Sequence, residues 1–392
     1  MSEYQYYEFQ AIDRPLTEEE VAYVGSLSSR TDPTSTRAVF TYSYSDFRGK
    51  PETVLTKYYD AMLYLTNWGS KQLMFRFPKS ILDAETLAPY RISDIISTDV
   101  TGEYLIVNVN FHEEEGGEWI EGEGWLSSLV RLRDDLLRGD FRFLYLAWLK
   151  AAAMMVIPED EWEDYDVAVD EIYEYEIGRD EREPPVPAGL QNLTGALQTF
   201  VDLFEIDEDL IAVAAEANPS KPEADDLDLE VLVTRLPEAE RNDFLIRVVR
   251  GEPHVGIQLM KRLRALARKE GAEAPTPLPR RTIGDLLAAA REHATRQAEE
   301  ERRKAEEARI RRLEEMAPAE PHLWEDVIAL IEEKKAKPYA QAVALLVDLH
   351  ALAEHFGHVD HFNARFRDIL NKYSNRSALL RRLREVGLVE KA

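Results

Sequence analysis

The chain has 392 residues, 45% of them apolar, 31% charged and 9% aromatic, with no cysteine and a formal net charge of −26. That length exceeds the roughly 250 to 300 residues one hydrophobic core spans, so two or three domains are expected, and the apolar content suffices to bury them. Without cysteine there are no disulfides, thiolate-bound zinc, iron–sulfur clusters or thiol nucleophile, and no run approaches the ~18 apolar residues of a membrane helix.

The opening "MSEYQYYEFQAIDRPL" holds neither a basic n-region nor an apolar h-region, so a cytoplasmic protein without membrane attachment is expected. In "PLTEEEVAYVGSL", Thr17 and Glu20 stand at capping-box spacing before a short helix. "TRAVFTYSYSD" is rich in β-branched and aromatic residues and reads as a strand. "PETVLTKYYDAMLYLTNW" reads as a helix opened by Pro51, and "KQLMFRF" as a strand with Leu73, Phe75 and Phe77 on one face. After a short helical piece near 83–90, "YRISDIIST" and "EYLIVNVNF" read as two strands joined by "DVTG". This order predicts an α+β domain over residues 1–157, closed by helices from Trp125 onward that break near Gly139.

Residues 158–187 are an acidic-aromatic segment running into the Pro-rich "REPPVPAGL", and 158–183 contain 13 acidic and 2 basic side chains. Trp162, Tyr165, Tyr173 and Tyr175 lie among those carboxylates, a pairing of aromatic anchors and steering charge that suits partner binding. Beyond it the pattern is helical. A small bundle of four helices is expected over 188–271, with Pro237 opening one helix and Gly251 ending it. A long charged helix follows over 280–316, reaching on the order of 50 Å, as a spacer or coiled-coil contact. A second bundle of four helices occupies 321–392. The fold class is therefore an α+β N-terminal domain followed by predominantly all-α bundles.

Charge follows this division. Residues 1–230 hold 48 acidic and 18 basic side chains, net −30, whereas 231–392 hold 26 and 30, net +4. The first part repels phosphates and favours a protein with a basic surface.

Candidate chemistry is sparse. "HALAEHFGHVDHF" (350–362) clusters four of the eight histidines. On one continuous helix His355 and His361 lie roughly 120° apart and cannot share an ion with His358. Gly357 is better read as a helix end, with Asp360 capping the next helix; the histidines then surround a polar corner, where three His with Asp360 could hold zinc only through an unusually tight turn. "FHEEEGGEWIEGEGW" lacks the ligand spacing of a calcium loop and reads as an exposed hairpin or loop. Phosphate-cradle, zincin and nucleophile-elbow strings are absent. In "LLRRLREVGL", Arg381, Arg382 and Arg384 flank a leucine stripe and offer a phosphate contact.

The stretches "RLRDDLLRGDFRFLYLAWLKA", "LPEAERNDFLIRVVRGEPHVGIQLMKRLRALA" and those from "YAQAVALLVDLHALAEHF" to "SALLRRLREVGL" resemble segments of uncharacterised bacterial helical proteins. Some of those are similar to regions that accompany SWIM-type zinc-finger domains. The likeness touches about half the chain and rests on leucine- and arginine-rich patterns. It implies a companion of such proteins and no catalytic residue; their Cys/His zinc module has no counterpart in a chain without cysteine.

The expectation is a non-catalytic interaction or accessory protein that binds a basic or nucleic-acid-associated protein partner through its acidic N-terminal half. Its partner-binding residues are Trp162, Tyr165, Tyr173 and Tyr175, with no catalytic residue, metal or cofactor assigned. Two alternatives come from other classes. One is a hydrolase or metal-dependent enzyme with its site between the α+β domain and residues 125–157; the other is a nucleic-acid-associated factor using the C-terminal half.

Overall fold

The computed structural model describes residues 4–43, 47–112, 121–155, 178, 180–218, 228–268 and 280–389. Two units result, Met1–His293 and Ala294–Ala392. The first is built on six strands: β1 (Gln5–Gln10), β2 (Arg37–Tyr42), β3 (Ala61–Thr66), β4 (Ser70–Pro78), β5 (Ile96–Thr101) and β6 (Tyr104–His112). All neighbours pair antiparallel in the order β2-β1-β3-β4-β6-β5.

Period-two alternation sorts side chains between the two faces of this sheet. Leu63, Leu65, Leu73, Phe75, Phe77, Val107 and Val109 enter one core. Tyr7, Phe9, Phe40, Met62 and Met74 enter the other. Helices α1 (Glu18–Ser26) and α2 (Pro51–Tyr58) cover the second face through Val24, Val54 and Leu55. The expected capping box opens α1, with the Glu20 amide donating to Thr17 Oγ1 and the Thr17 amide to Glu20 Oε2.

The other face carries a thicker helical layer. It contains α3 (Ala84–Leu87), α4 (Trp125–Leu129), α5 (Arg131–Leu137), α6 (Arg142–Met155), α7 (Gly195–Phe204) and α8 (Glu208–Ala217). Residues on both sides of the predicted linker thus share one core. Beside it stand α9 (Leu229–Arg235), α10 (Glu238–Val249) and α11 (Val255–Arg268); Leu232, Leu236 and Leu263 join α9 to α11, and α10 meets α11 through the Glu240–Arg262 pair. Helix α12 (Ile283–Met316) contributes Ile283, Leu286 and Ala290 to the large core.

Three local expectations are corrected. The helix expected from Pro51 to Trp68 stops at Tyr58, and Ala61–Thr66 forms β3. Strand β3 lies between β1 and β4 with almost every side chain buried, so it shows no amphipathic alternation, and tertiary pairing overrides helical propensity. Strand β1 and helix α8 were not expected at all; β1 is likewise buried on both faces. Pro237 is the residue before α10, not its first helical position.

In the second unit, α12 continues as a charged rod before α13 (Glu320–Glu332), α14 (Ala336–Phe356), α15 (Val359–Lys372) and α16 (Ser377–Glu385). Trp324, Val327, Ile331, Leu346, Phe362 and Leu383 centre its core. The expected pairs line the exposed rod, with Arg303 on Glu300 and Glu307 and Arg309 on Glu306, neighbours one helical turn apart that face water. Among the described residues no helix is long and apolar enough to cross a membrane.

Candidate functional site

The division into units places the charge. Residues 1–293 hold 56 acidic and 30 basic side chains, net −26, while 294–392 hold 18 of each. The entire net charge of the chain therefore belongs to the unit with the sheet. Among its described residues, five cations (Lys71, Arg76, Arg133, Arg142 and Lys150) and three carboxylates (Glu8, Asp60 and Glu183) are buried, which leaves the surface more acidic still.

Those buried charges are consumed within the fold. Asp60 Oδ2 accepts from the amides of Ile12 and Asp13 at 2.6 and 2.9 Å, and its Oδ1 accepts from Arg76 Nη2 at 2.6 Å. Arg133 grips Asp13 with Nη1 and Nη2 at 2.9 and 2.7 Å and gives its Nε proton to the Arg76 carbonyl. His254 Nε2 stands 3.1 Å from Asp13 Oδ2, at the foot of α11 and in a left-handed backbone conformation, φ 61°. The contact is an ion-pair distance without good hydrogen-bond alignment, since this nitrogen has no partner by hydrogen-bond geometry. Burial opposes the charge on Asp13, but His254 and Arg133 hold its carboxyl down at about 2. Elsewhere Glu183 accepts from Tyr145 and from both Nε and Nη2 of Arg281, pinning the beginning of the Pro-rich segment to the residues just before α12. Arg142 is shared by Asp140 and the carbonyls of Gly189 and Asn192. These groups hold segments together; each is turned toward another protein group.

The space between the sheet and residues 125–155 is filled. Leu126, Leu129, Leu132, Leu136, Phe143, Leu146 and Leu149 pack there on Phe75, Phe77 and Phe111.

The histidine run also resolves. Gly357 does end α14 in the left-handed region, φ 72°, as expected, but His358 rather than Asp360 is the residue before α15. His350 packs edge-on against Phe362, ring centroids 4.9 Å apart, and His355 lies against Phe356. His358 and His361 line a cavity of about 200 Å³ with Glu320, Leu352, Phe356 and Phe362, from which His355 is excluded. Glu320 accepts from Trp324 Nε1 at 3.2 Å. Among the described residues no three His, Asp or Glu side chains converge at metal-binding distance. On α16, Arg381 reaches Glu385 at 3.6 Å and Arg382 donates to its own helix.

Trp162, Tyr165, Tyr173 and Tyr175 lie outside the described residues, as does most of "FHEEEGGEWIEGEGW". One surface that sequence reasoning missed is on α10. None of its residues is buried, and Leu245, Ile246, Val248 and Val249 are 59, 49, 58 and 88% exposed. The signal for it was available in "FLIRVV", a run of five apolar residues and one arginine on a helix too short to need them all for a core.

No family model, curated protein or solved structure matches the chain.

Proposed function

We propose that this protein is a non-catalytic interaction or accessory protein whose acidic first unit binds a protein with a basic surface. The observation that carries the proposal is the confinement of the whole −26 to residues 1–293, with the second unit neutral. A field of one sign over one unit draws a cationic partner from beyond contact range and repels phosphates, so association with nucleic acid runs through that partner. The filled space behind the sheet and the mutual saturation of Asp13, Asp60, Arg76 and Arg133 support a binding role over a catalytic one. The resemblance to regions that accompany SWIM-type modules fits a companion protein.

The test is cross-linking mass spectrometry on the tagged full-length chain, purified with and without nuclease. The expected result is a nuclease-resistant protein partner, cross-linked to residues 1–293 and released as salt rises from about 0.05 to about 0.5 M, where the screening length falls to a few Å. Release by nuclease, or cross-links confined to residues 294–392, would overturn it.

A further inference from the structure

Helix α8 packs Leu210, Val213 and Ala214 into the large core. The next stripe round the helix, Glu208, Ile211, Ala212 and Ala215 at i, i+3, i+4 and i+7, borders a groove of about 490 Å³. Val201 of α7 and Leu190 of the loop before it line the far side. The floor is apolar, with Leu190, Val201, Ile211 and Ala215 all buried, whereas Gln191, Gln198 and Glu208 at the rim are exposed. One wall is fixed from inside the protein: the buried Arg142 guanidinium donates from Nη1 to the carbonyls of Gly189 and Asn192, on either side of Leu190 and Gln191. The groove is thus held in shape by the fold, and an occupant does not have to order it.

Its charge has one sign. Among the described residues no lysine, arginine or histidine lines the groove, and residues 184–220 contain six carboxylates and no basic side chain. Four of the six are engaged: Glu205 by Lys71, Asp209 by His293, Asp202 by Gln198, and Asp207 by the first amides of α8. Glu208, at the mouth of the groove, has no ion pair among the described residues. We infer that this groove receives a lysine and an adjoining aliphatic side chain of the basic partner, the aliphatic groups on Leu190, Val201 and Ile211 and the ammonium at Glu208. The inference rests on the proposed function and names its contact. A lysine matches both parts, since its four-carbon stem covers apolar surface while its head stays at the wet rim. A protein side chain suits the groove better than a free small amine does. Ligand sites enclose about 70–90% of their ligand, whereas this rim opens to water, and an anchor side chain arrives under the cover of the protein that carries it.

The test uses the full chain with labelled Ile, Leu and Val methyl groups, titrated at low salt and followed by NMR. The probes are a short peptide carrying Leu-Leu-Lys in a Gly/Ser frame, a twin with norleucine for lysine, and hexylamine. The lysine peptide should shift the methyls of Leu190, Val201 and Ile211, and the norleucine twin should bind at least about threefold more weakly. Glu208→Lys should weaken the lysine peptide at least about fivefold, while Glu216→Lys, the same charge change on the same helix but outside the groove, should stay within about twofold. Ala212→Trp, which fills the groove from a half-buried helical position, should abolish the shifts with an unchanged thermal melt. Equal weakening by Glu208→Lys and Glu216→Lys, or unchanged shifts in Ala212→Trp, would show that the groove is not the site and leave the acidic-surface proposal standing on its cross-links. A norleucine twin that binds as tightly as the lysine peptide, or no methyl shift with any probe, would overturn the inference. Hexylamine binding as tightly as the peptide would give the groove to a small amine and overturn it as well. Failure of the proposed function shows separately, as cross-links confined to residues 294–392 while the methyl shifts persist.

Discussion

Asp60→Ala should cost the first unit about 4 kcal/mol. The carboxylate is 1% exposed and accepts from the Ile12 and Asp13 amides and from Arg76 Nε and Nη2. Without it the Arg76 guanidinium, 6% exposed, keeps one hydrogen bond to the Thr56 carbonyl and a stacking contact with Tyr104, and two amides lose their acceptor. Removing one member of a buried ion pair costs about 3 to 5 kcal/mol, and that leaves little room in a total stability of about 5 to 15. Orphaned amides add to this but not additively, since the same backbone shift relieves both. Hydrogen exchange by mass spectrometry resolves the effect locally. Amides of β3 and β4 should exchange roughly a thousandfold faster, at a tenfold change per 1.4 kcal/mol, while those of α13 in the second unit serve as the unchanged reference. Asp60→Leu with Arg76→Met, which removes both charges and keeps volume, should recover part of the loss. An acceleration below about tenfold, or a double variant less protected than Asp60→Ala, would refute the claim that the pair is held by mutual neutralisation.

The remaining predictions concern the same network and the partner surface. Because the folded Asp13 carboxyl sits at about 2 instead of 3.8, its stabilisation is present above the unfolded value and is lost as pH falls from about 4 to about 2. Denaturant titrations across that window should lose about 2 kcal/mol, and Asp13→Asn should flatten the slope; a persistent slope would place the acid sensitivity elsewhere. His254→Ala removes the 3.1 Å contact with Asp13, so exchange should quicken in α11 while the sheet stays protected, and equal loss in both would show that His254 supports the whole unit. Replacing Trp162, Tyr165, Tyr173 and Tyr175 together by alanine should lower recovery of the cross-linked partner about tenfold with no change in melting; full recovery would remove those four residues from the interface.

Local chemistry was legible wherever one residue decides a conformation. The Thr17 capping box, the left-handed Gly357, the Leu73, Phe75 and Phe77 stripe and the paired charges of α12 all stand where the sequence puts them. The charge imbalance is a property of composition and order along the chain, so it too could be read before any coordinates. The strands β1 and β3 could not, because a strand buried on both faces has no alternation to detect, and only its neighbours show that it belongs to a sheet. Asp13, Asp60, Arg76, Arg133 and His254 follow no spacing rule; long-range packing of the strands with α5 and α11 brings the first four within hydrogen-bond reach and His254 within ion-pair distance of Asp13. The apolar residues of α10 stand in the sequence as "FLIRVV", but a run of that kind reads only as part of a helix, not as an exposed surface. Which side meets the chain was decided by Arg262 and Gln258 on α11, whose bonds to Glu240 and Arg247 turn the apolar side to water.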